Sequence, residues 1–87
     1  MTNEERKENT YIGSAEIWFE NTERRDRLVK AAEAAGFLVD FTEAIGISFS
    51  GANTPVYWAI TVYAKGRLAK EEQREARARL AAAWRNQ

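Results

Sequence analysis

The sequence has no cysteine and no histidine, and its 13 basic side chains are balanced by 13 acidic ones. Without cysteine there is no disulfide framework, thiol nucleophile or redox switch. Without histidine, Ser-His-Asp and Cys-His catalysis is excluded and the usual zinc ligands are missing, so we expect no catalysis, no metal site and no cofactor. The zero formal net charge also argues against a nucleic-acid-binding module, which usually carries a basic excess.

The sequence also lacks a long apolar segment. Its longest uncharged run, 44–64, has 21 residues, but it contains serines, glycines, an asparagine and a proline. This composition favours two strands around a turn over a membrane span. Residues 1–10 are polar and charged without the apolar core of a secretory signal, so we expect a flexible tail there and a cytoplasmic protein. The remaining residues, 11–87, are enough for one small domain.

Alternating apolar residues predict three β-strands. Between residues 11 and 19 most apolar side chains fall on odd positions, which places Ile12 and Trp18 on the opposite, outward side. The same alternation recurs in 37–50 and 56–64. These two stretches are predicted to form an antiparallel hairpin because turn-forming residues lie between them.

Two helices are predicted. The first covers 22–35, after the N-cap residue type Asn21 and before the stop residue Gly36. The second covers 68–85, which consists of strong helix formers. The order β-α-β-β-α predicts an α+β two-layer sandwich with both helices on one face of an antiparallel three-stranded sheet. This is the ferredoxin-like plan without its final strand.

Three local features accompany this order: an aromatic-acidic step at Trp18-Phe19-Glu20, a helix end at Ala35-Gly36-Phe37, and a strand that precedes a charged helix rich in alanine and leucine. With these features the chain resembles several α/β-plait families, among them the RraB-like family of ribonuclease E regulators. The family pattern Gly-Gly-x-Tyr-Asp-Gly-Trp is replaced here by Ala83-Trp84-Arg85-Asn86-Gln87. The resemblance implies an α/β-plait fold and adds a role in RNA metabolism as an alternative function.

The outward face of the predicted sheet is the candidate protein-binding surface. It presents Trp18, Tyr57, Tyr63 and Leu38, together with Thr61 and Ile12. Three aromatic side chains on one solvated face are more than a monomer needs, and aromatic residues are frequent hot spots of interfaces. We therefore expect a non-enzymatic regulator or inhibitor that occupies a surface of a partner protein. A homodimer through this face, or cross-strand pairing that only stabilises the sheet, are the alternatives.

Composition also suggests a source. Arginine outnumbers lysine 9 to 4 and alanine occurs 15 times, and both have codons rich in G and C. Together with the small size, this favours a regulator carried by a phage or mobile element.

The last predicted helix carries a basic stripe with i+3 and i+4 spacing. Its members are Arg67, Lys70, Arg74, Arg77 and Arg85. Such a stripe is able to follow a phosphate backbone or an acidic partner, which makes nucleic-acid binding the alternative function. Glu71 lies three residues before Arg74 and Glu75 four before Arg79, so we expect intrahelical ion pairs to neutralise much of the stripe.

A set of carboxylates is the last candidate site. Its members are Glu16, Glu20, Asp40 and Glu43. If their strands pair, Glu16 and Asp40 would be neighbours, and paired acids are able to do acid–base work or hold a cation. No nucleophile or glycine-rich phosphate loop accompanies them, so we expect no catalysis from this set.

Overall fold

The computed structural model describes residues 2–47 and 53–87. The elements in chain order are α1 (Asn3–Glu8), β1 (Thr10–Trp18), α2 (Thr22–Ala34), β2 (Leu38–Ile47), β3 (Asn53–Ala64) and α3 (Lys70–Arg85). The fold is α+β and its three strands form an antiparallel sheet, as the alternation of apolar residues predicts. Residues 48–50 of the second predicted strand lie outside the described residues.

The N-terminal segment, for which a flexible tail is predicted, contains a short helix and the first residue of β1. Asn3–Glu8 form α1, and Thr10 already belongs to β1. Arg6 in α1 forms an ion pair with Asp40 in β2, with 2.8 Å between Nη2 and Oδ2. This hydrogen bond raises the pKa of the Arg6 guanidinium above its ordinary value. The observed order therefore begins with a helix that the expected order does not contain. Its sequence, NEERKE, has no apolar stripe that would indicate a helix.

The sheet order is β1-β3-β2, so β3 is the central strand. The antiparallel hairpin predicted for the second and third strands is confirmed as β2 and β3. Since β1 and β2 do not pair, the condition under which Glu16 and Asp40 would be neighbours is not met. Glu16 lies opposite Ala59 on one side of β3, and Asp40 lies opposite Thr61 on the other side.

The core lies between the sheet and the two longer helices. Helix α3 packs over β1, and α2 packs over β2 and β3 and against α3. Buried hydrophobic residues of the core are Ile12, Ile17, Leu28, Ala32, Phe37, Ile60, Val62, Ala64, Ala76 and Leu80. The helices are also joined by a hydrogen bond of 3.0 Å from the Trp84 indole Nε1 to the Leu28 carbonyl oxygen.

A β-bulge in β1 reverses the expected orientation of its first residues. Tyr11 lies opposite Tyr63 and Gly13 lies opposite Val62, so Ile12 is the extra residue. As a result Ile12 is only 3% exposed whereas Tyr11 is 49% exposed. The sequence pattern predicted the opposite for both. A strict period of two assumes uninterrupted pairing, and a bulge inserts one residue that exchanges the two sides of the strand.

The ends of α2 are set by local chemistry. The Asn21 side-chain oxygen accepts a hydrogen bond of 3.2 Å from the Arg24 backbone N–H, and Gly36 stops the helix with a φ of +92°. Both predictions are confirmed. Helix α3 begins two residues later than predicted, where the Glu72 carboxylate accepts a 3.1 Å hydrogen bond from the Ala69 backbone N–H. Within residues 2–47 and 53–87, no helix is both long enough and apolar enough to span a bilayer.

Thr10 connects the start of β1 to the loop between β3 and α3. Its hydroxyl donates to the Gly66 carbonyl oxygen at 2.8 Å and accepts from the Leu68 N–H at 3.0 Å. Thr10→Val retains the side-chain shape but removes both hydrogen bonds. We expect it to lower the free energy of unfolding by about 1 kcal/mol in urea denaturation. Thr10→Ser keeps the hydroxyl and is the control, and a loss in Thr10→Ser as large as in Thr10→Val would contradict this assignment.

Candidate protein-binding surface

The sheet face opposite α2 and α3, called the open face below, carries the four residues predicted as anchors. Trp18 lies opposite Tyr57, and Leu38 lies opposite Tyr63. Tyr57 and Tyr63 are six residues apart along β3, which corresponds to about 20 Å. The structure therefore divides the four residues into two pairs at opposite ends of the face and does not bring them into one patch.

At one end of the open face, Trp18 is exposed. Its exposed fraction is 69%, compared with 49% for Tyr11 and 42% for Phe41. The preceding residue, Ile17, is buried, so the alternation of β1 directs the indole away from the core. The strand turns immediately afterwards, and the Asn21 N–H donates to the Trp18 carbonyl oxygen at 2.9 Å.

Trp18 lines two shallow depressions. One is formed with Glu16 and Tyr57 on the open face, and the other with the residues that lead into α2, namely Glu20, Asn21, Thr22 and Glu23. Among the described residues that line these depressions there are three carboxylates and no basic side chain. We name the set Glu16, Trp18, Glu20, Glu23 and Tyr57 the Trp18 patch.

The other end of the open face is partly covered by the chain itself. Tyr63 and Leu38 are half-buried, as is Tyr57 at the Trp18 end, whereas the sequence pattern predicted exposed anchors at all three positions. The ring of Tyr11 packs edge-on against Tyr63 at 6.1 Å between centroids. The ion pair between Arg6 and Asp40 lies at the same end, and Tyr63 contributes to the raised pKa of Arg6. Of the four residues predicted as anchors, Trp18 is therefore the one that is exposed.

Tyr11 is an exposed aromatic residue that the sequence pattern assigned to the core. The signal that would have corrected this assignment is Gly13, because an isolated glycine within a strand pattern indicates a bulge. A Cβ atom at Gly13 would lie 3.3 Å from Leu80 Cδ2, so the glycine also allows α3 to approach β1 closely.

An aromatic cluster on the helix side of the sheet supports the strand ends behind the Trp18 patch. Trp58 stacks on Phe19 at 4.9 Å and contacts Phe41 edge-on at 5.7 Å. The Arg25 guanidinium lies 4.5 Å from the centroid of Trp58, and its Nη2 atom is 2.9 Å from Asp26 Oδ1. The indole Nε1 of Trp58 donates to the Phe19 carbonyl oxygen at 3.1 Å. These contacts hold the end of β1 against the central strand.

The basic stripe is divided between a loop and α3. Arg67 lies in the loop before the helix, and Lys70, Arg74 and Arg77 are exposed on α3. Arg77 Nη2 donates to the Gln73 side-chain oxygen at 3.4 Å.

The intrahelical ion pairs predicted for α3 are not found among the described residues. Arg79, the expected partner of Glu75, donates instead to the Ala35 carbonyl oxygen at 3.4 Å, and its guanidinium lies 4.9 Å from the ring centroid of Phe37. Arg79 therefore fastens α3 to the end of α2. The positive charges of Lys70 and Arg74 have no ion-pair partner in the described part of the chain.

Comparisons of this chain with protein-family models, curated proteins and solved structures find no match. The resemblance to the RraB-like family therefore rests on the sequence pattern alone, and a functional argument has to come from the residues of this chain.

Proposed function

We propose that this chain is a small protein-binding regulator that docks a partner protein on the Trp18 patch. The observation that carries the proposal is the 69% exposure of Trp18 at the end of an ordered strand. Full burial of a large apolar side chain stabilises a complex by roughly 1.5–3 kcal/mol relative to leaving the side chain in water. Tryptophan is also one of the residues most enriched at interface hot spots. No other large hydrophobic side chain of the described residues offers as much to a partner.

The surroundings of Trp18 suit binding by a preformed surface. Tyr57 lies directly opposite on the central strand, and the Trp58 cluster packs behind the same strand ends. A surface that is already ordered loses little conformational entropy when it binds. A chain that acts in this way regulates its partner by occupying the partner's surface, either blocking it or redirecting it, and needs no chemistry of its own.

A stable interface usually buries about 800 Å² on each partner, which is more than five side chains supply. We therefore place the contact on the Trp18 patch and on the adjoining open face. The neighbouring positions on that face are Ala59 and Thr61 in β3 and Thr42 in β2. The far end of the face, where Tyr11 covers Tyr63, is outside the proposed contact.

We also propose that the fold is a ferredoxin-like arrangement without its final strand. The support is the sheet order β1-β3-β2, in which β1 and β2 run parallel on either side of β3 and are connected by α2. This is the split β-α-β unit on which the ferredoxin-like plan is built.

A second candidate function is nucleic-acid binding by α3. The observation that favours it is the absence, among the described residues, of the ion pairs expected to neutralise Lys70 and Arg74. Its signature is an affinity that falls steeply with salt, with a smaller salt slope in Arg74→Ala. The acidic residues Glu71, Glu72 and Glu75 on the same helix weaken its attraction for phosphate, so we rank it below the Trp18 patch.

Trp18→Ala is expected to weaken capture of the partner roughly 30-fold, the effect of a hot spot of about 2 kcal/mol. The measurement is capture from a nuclease-treated lysate on immobilised chain, followed by affinity measurement with the purified partner. The matched control is Tyr11→Ala, which removes another exposed aromatic side chain of β1 from the same face but outside the patch.

Circular dichroism confirms that each variant is folded before capture is compared. The proposal is supported if a protein is captured after nuclease treatment, is no longer captured by Trp18→Ala, and is still captured by Tyr11→Ala. Equal capture by wild type and Trp18→Ala contradicts it. Capture that disappears with nuclease and with Arg74→Ala transfers the function to α3.

A further inference from the structure

The charged side chains of the Trp18 patch are all acidic. Glu16 lies two residues before Trp18 in β1, and side chains two apart in a strand point to the same face. Glu20 follows in the turn, and Glu23 lies in the first turn of α2. Glu16 lines one of the two depressions at Trp18, and Glu20 and Glu23 line the other. The described residues that line these depressions include no Lys or Arg.

Two of these carboxylates have no partner in the described part of the chain. Elsewhere in the described residues, Asp40 pairs with Arg6 and Asp26 pairs with Arg25. No ion pair or hydrogen bond of the described structure engages the side chain of Glu16 or of Glu20. Glu23 differs because a carboxylate in the first turn of a helix already interacts favourably with the helix dipole. The charges available to a ligand are therefore those of Glu16 and Glu20.

An exposed aromatic ring beside free carboxylates is suited to a basic side chain. The ring attracts a cation placed over its face, and the carboxylate adds a charge-assisted hydrogen bond. The chain uses the same combination on the helix side of the sheet, where Arg25 lies 4.5 Å from the Trp58 centroid and 2.9 Å from Asp26. A metal ion is a poorer match, since no group of three or more Asp, Glu, His or Cys side chains in the described residues is placed to hold one.

We infer that the Trp18 patch receives Arg or Lys side chains from an extended segment of the partner protein. The inference rests on the proposed function and specifies the chemistry of the partner. Trp18 lines both depressions, so we place two basic side chains on the same side of the segment, one in the depression lined by Glu16 and one in the depression lined by Glu20. In an extended chain such side chains are two residues apart, or about 7 Å.

The test is a titration of the full chain with the peptide acetyl-Gly-Arg-Gly-Arg-Gly-amide. Binding is monitored through the ¹H–¹⁵N NMR resonances of the three tryptophan indoles. The indoles of Trp58 and Trp84 donate to the carbonyl oxygens of Phe19 and Leu28, so the third, solvent-exposed resonance belongs to Trp18. Its assignment is verified with Trp18→Phe. The control peptide replaces both arginines with glutamine and removes the charge.

We expect the arginine peptide to shift the Trp18 indole resonance selectively, and the glutamine peptide to leave it unchanged. Glu16→Gln and Glu20→Gln are each expected to weaken arginine-peptide binding roughly fivefold, the effect of one lost charge-assisted contact. The matched control is Glu71→Gln, which removes one exposed negative charge far from the patch. Glu71 lies in the first turn of α3, near the start of β1, whereas Trp18 lies at the end of β1. Raising the salt concentration should weaken binding to the wild type.

Three results overturn the inference: no shift of the Trp18 resonance with the arginine peptide, equal binding of the glutamine peptide, or unchanged affinity in the Glu16→Gln/Glu20→Gln double variant. The partner captured in the previous experiment separates this failure from that of the proposed function. If binding of that partner requires Trp18 but not the two carboxylates, the proposed docking surface stands and the inference about basic side chains is wrong. If binding is unchanged in Trp18→Ala, both the proposed function and the inference are wrong.

Discussion

Trp58→Ala is expected to lower the free energy of unfolding by about 3 kcal/mol, the lower end of the range for removal of a buried tryptophan, because this side chain is only half-buried. The substitution removes the stacking partner of Phe19 and the edge contact of Phe41. It also removes the ring over which the Arg25 guanidinium lies at 4.5 Å and the indole N–H that binds the Phe19 carbonyl oxygen. Urea denaturation followed by circular dichroism measures the effect.

Trp18→Ala is the matched control, because the two tryptophans belong to paired strands and their residues are neighbours in the register. Trp18 is 69% exposed, and exposed substitutions usually change stability by less than about 0.5 kcal/mol. Comparable losses in the two variants would contradict the assignment of Trp58 to the scaffold and of Trp18 to the surface. Trp58→Phe is expected to lie between them, since it keeps an aromatic ring but loses the indole hydrogen bond.

Ile60→Ala is expected to cost about 3–4 kcal/mol, within the range found for isoleucine-to-alanine changes in cores. Ile60 is 0% exposed and lies in the central strand, opposite Ala15 in β1 and Phe41 in β2. Its side chain belongs to the core covered by both longer helices, so its removal leaves a cavity that no single element is free to close. A domain of this size has a total stability of roughly 4–13 kcal/mol, so this change removes a large part of it.

Ile60→Val is the graded control for this prediction. It removes one methyl group and should cost about 1 kcal/mol. The midpoints of the thermal and urea transitions should both decrease, by less in Ile60→Val than in Ile60→Ala. A loss in Ile60→Ala no larger than in Ile60→Val would show that the helices readjust over the central strand, and would contradict the expectation that the cavity stays open.

Much of the secondary structure was predictable because it follows from local interactions. The alternation in 56–64 identified most of β3, and the boundaries of α2 followed from a capping asparagine and a glycine with positive φ. Both signals act within one or two turns of the chain. Helix α1 was missed for the corresponding reason: its six polar residues contain no periodic apolar pattern.

The candidate site was predictable only in part. Trp18 and Tyr57 were identified correctly as residues of the open face, because the alternation of their own strands holds at that end. The bulge at Ile12 exchanged the sides of the first residues of β1, so Tyr11 was missed and Ile12 was assigned to the wrong side. The sequence pattern indicated Glu16 and Glu20 as possible acid–base groups, whereas their position beside an exposed indole suggests charge recognition.

The sequence by itself determined the elements that depend on neighbouring residues: three strands from period-two alternation, α2 from its caps, and α3 from its helix formers. It also determined that no thiol or imidazole is present for chemistry. Only the tertiary structure decided which residues meet across the sheet. The placement of β3 between β1 and β2 separated Glu16 from Asp40, paired Trp18 with Tyr57, and left Tyr63 at the far end. Trp18 and Tyr57, for example, are 39 positions apart in the chain, and an alternation pattern contains no information about the partner against which a strand is aligned.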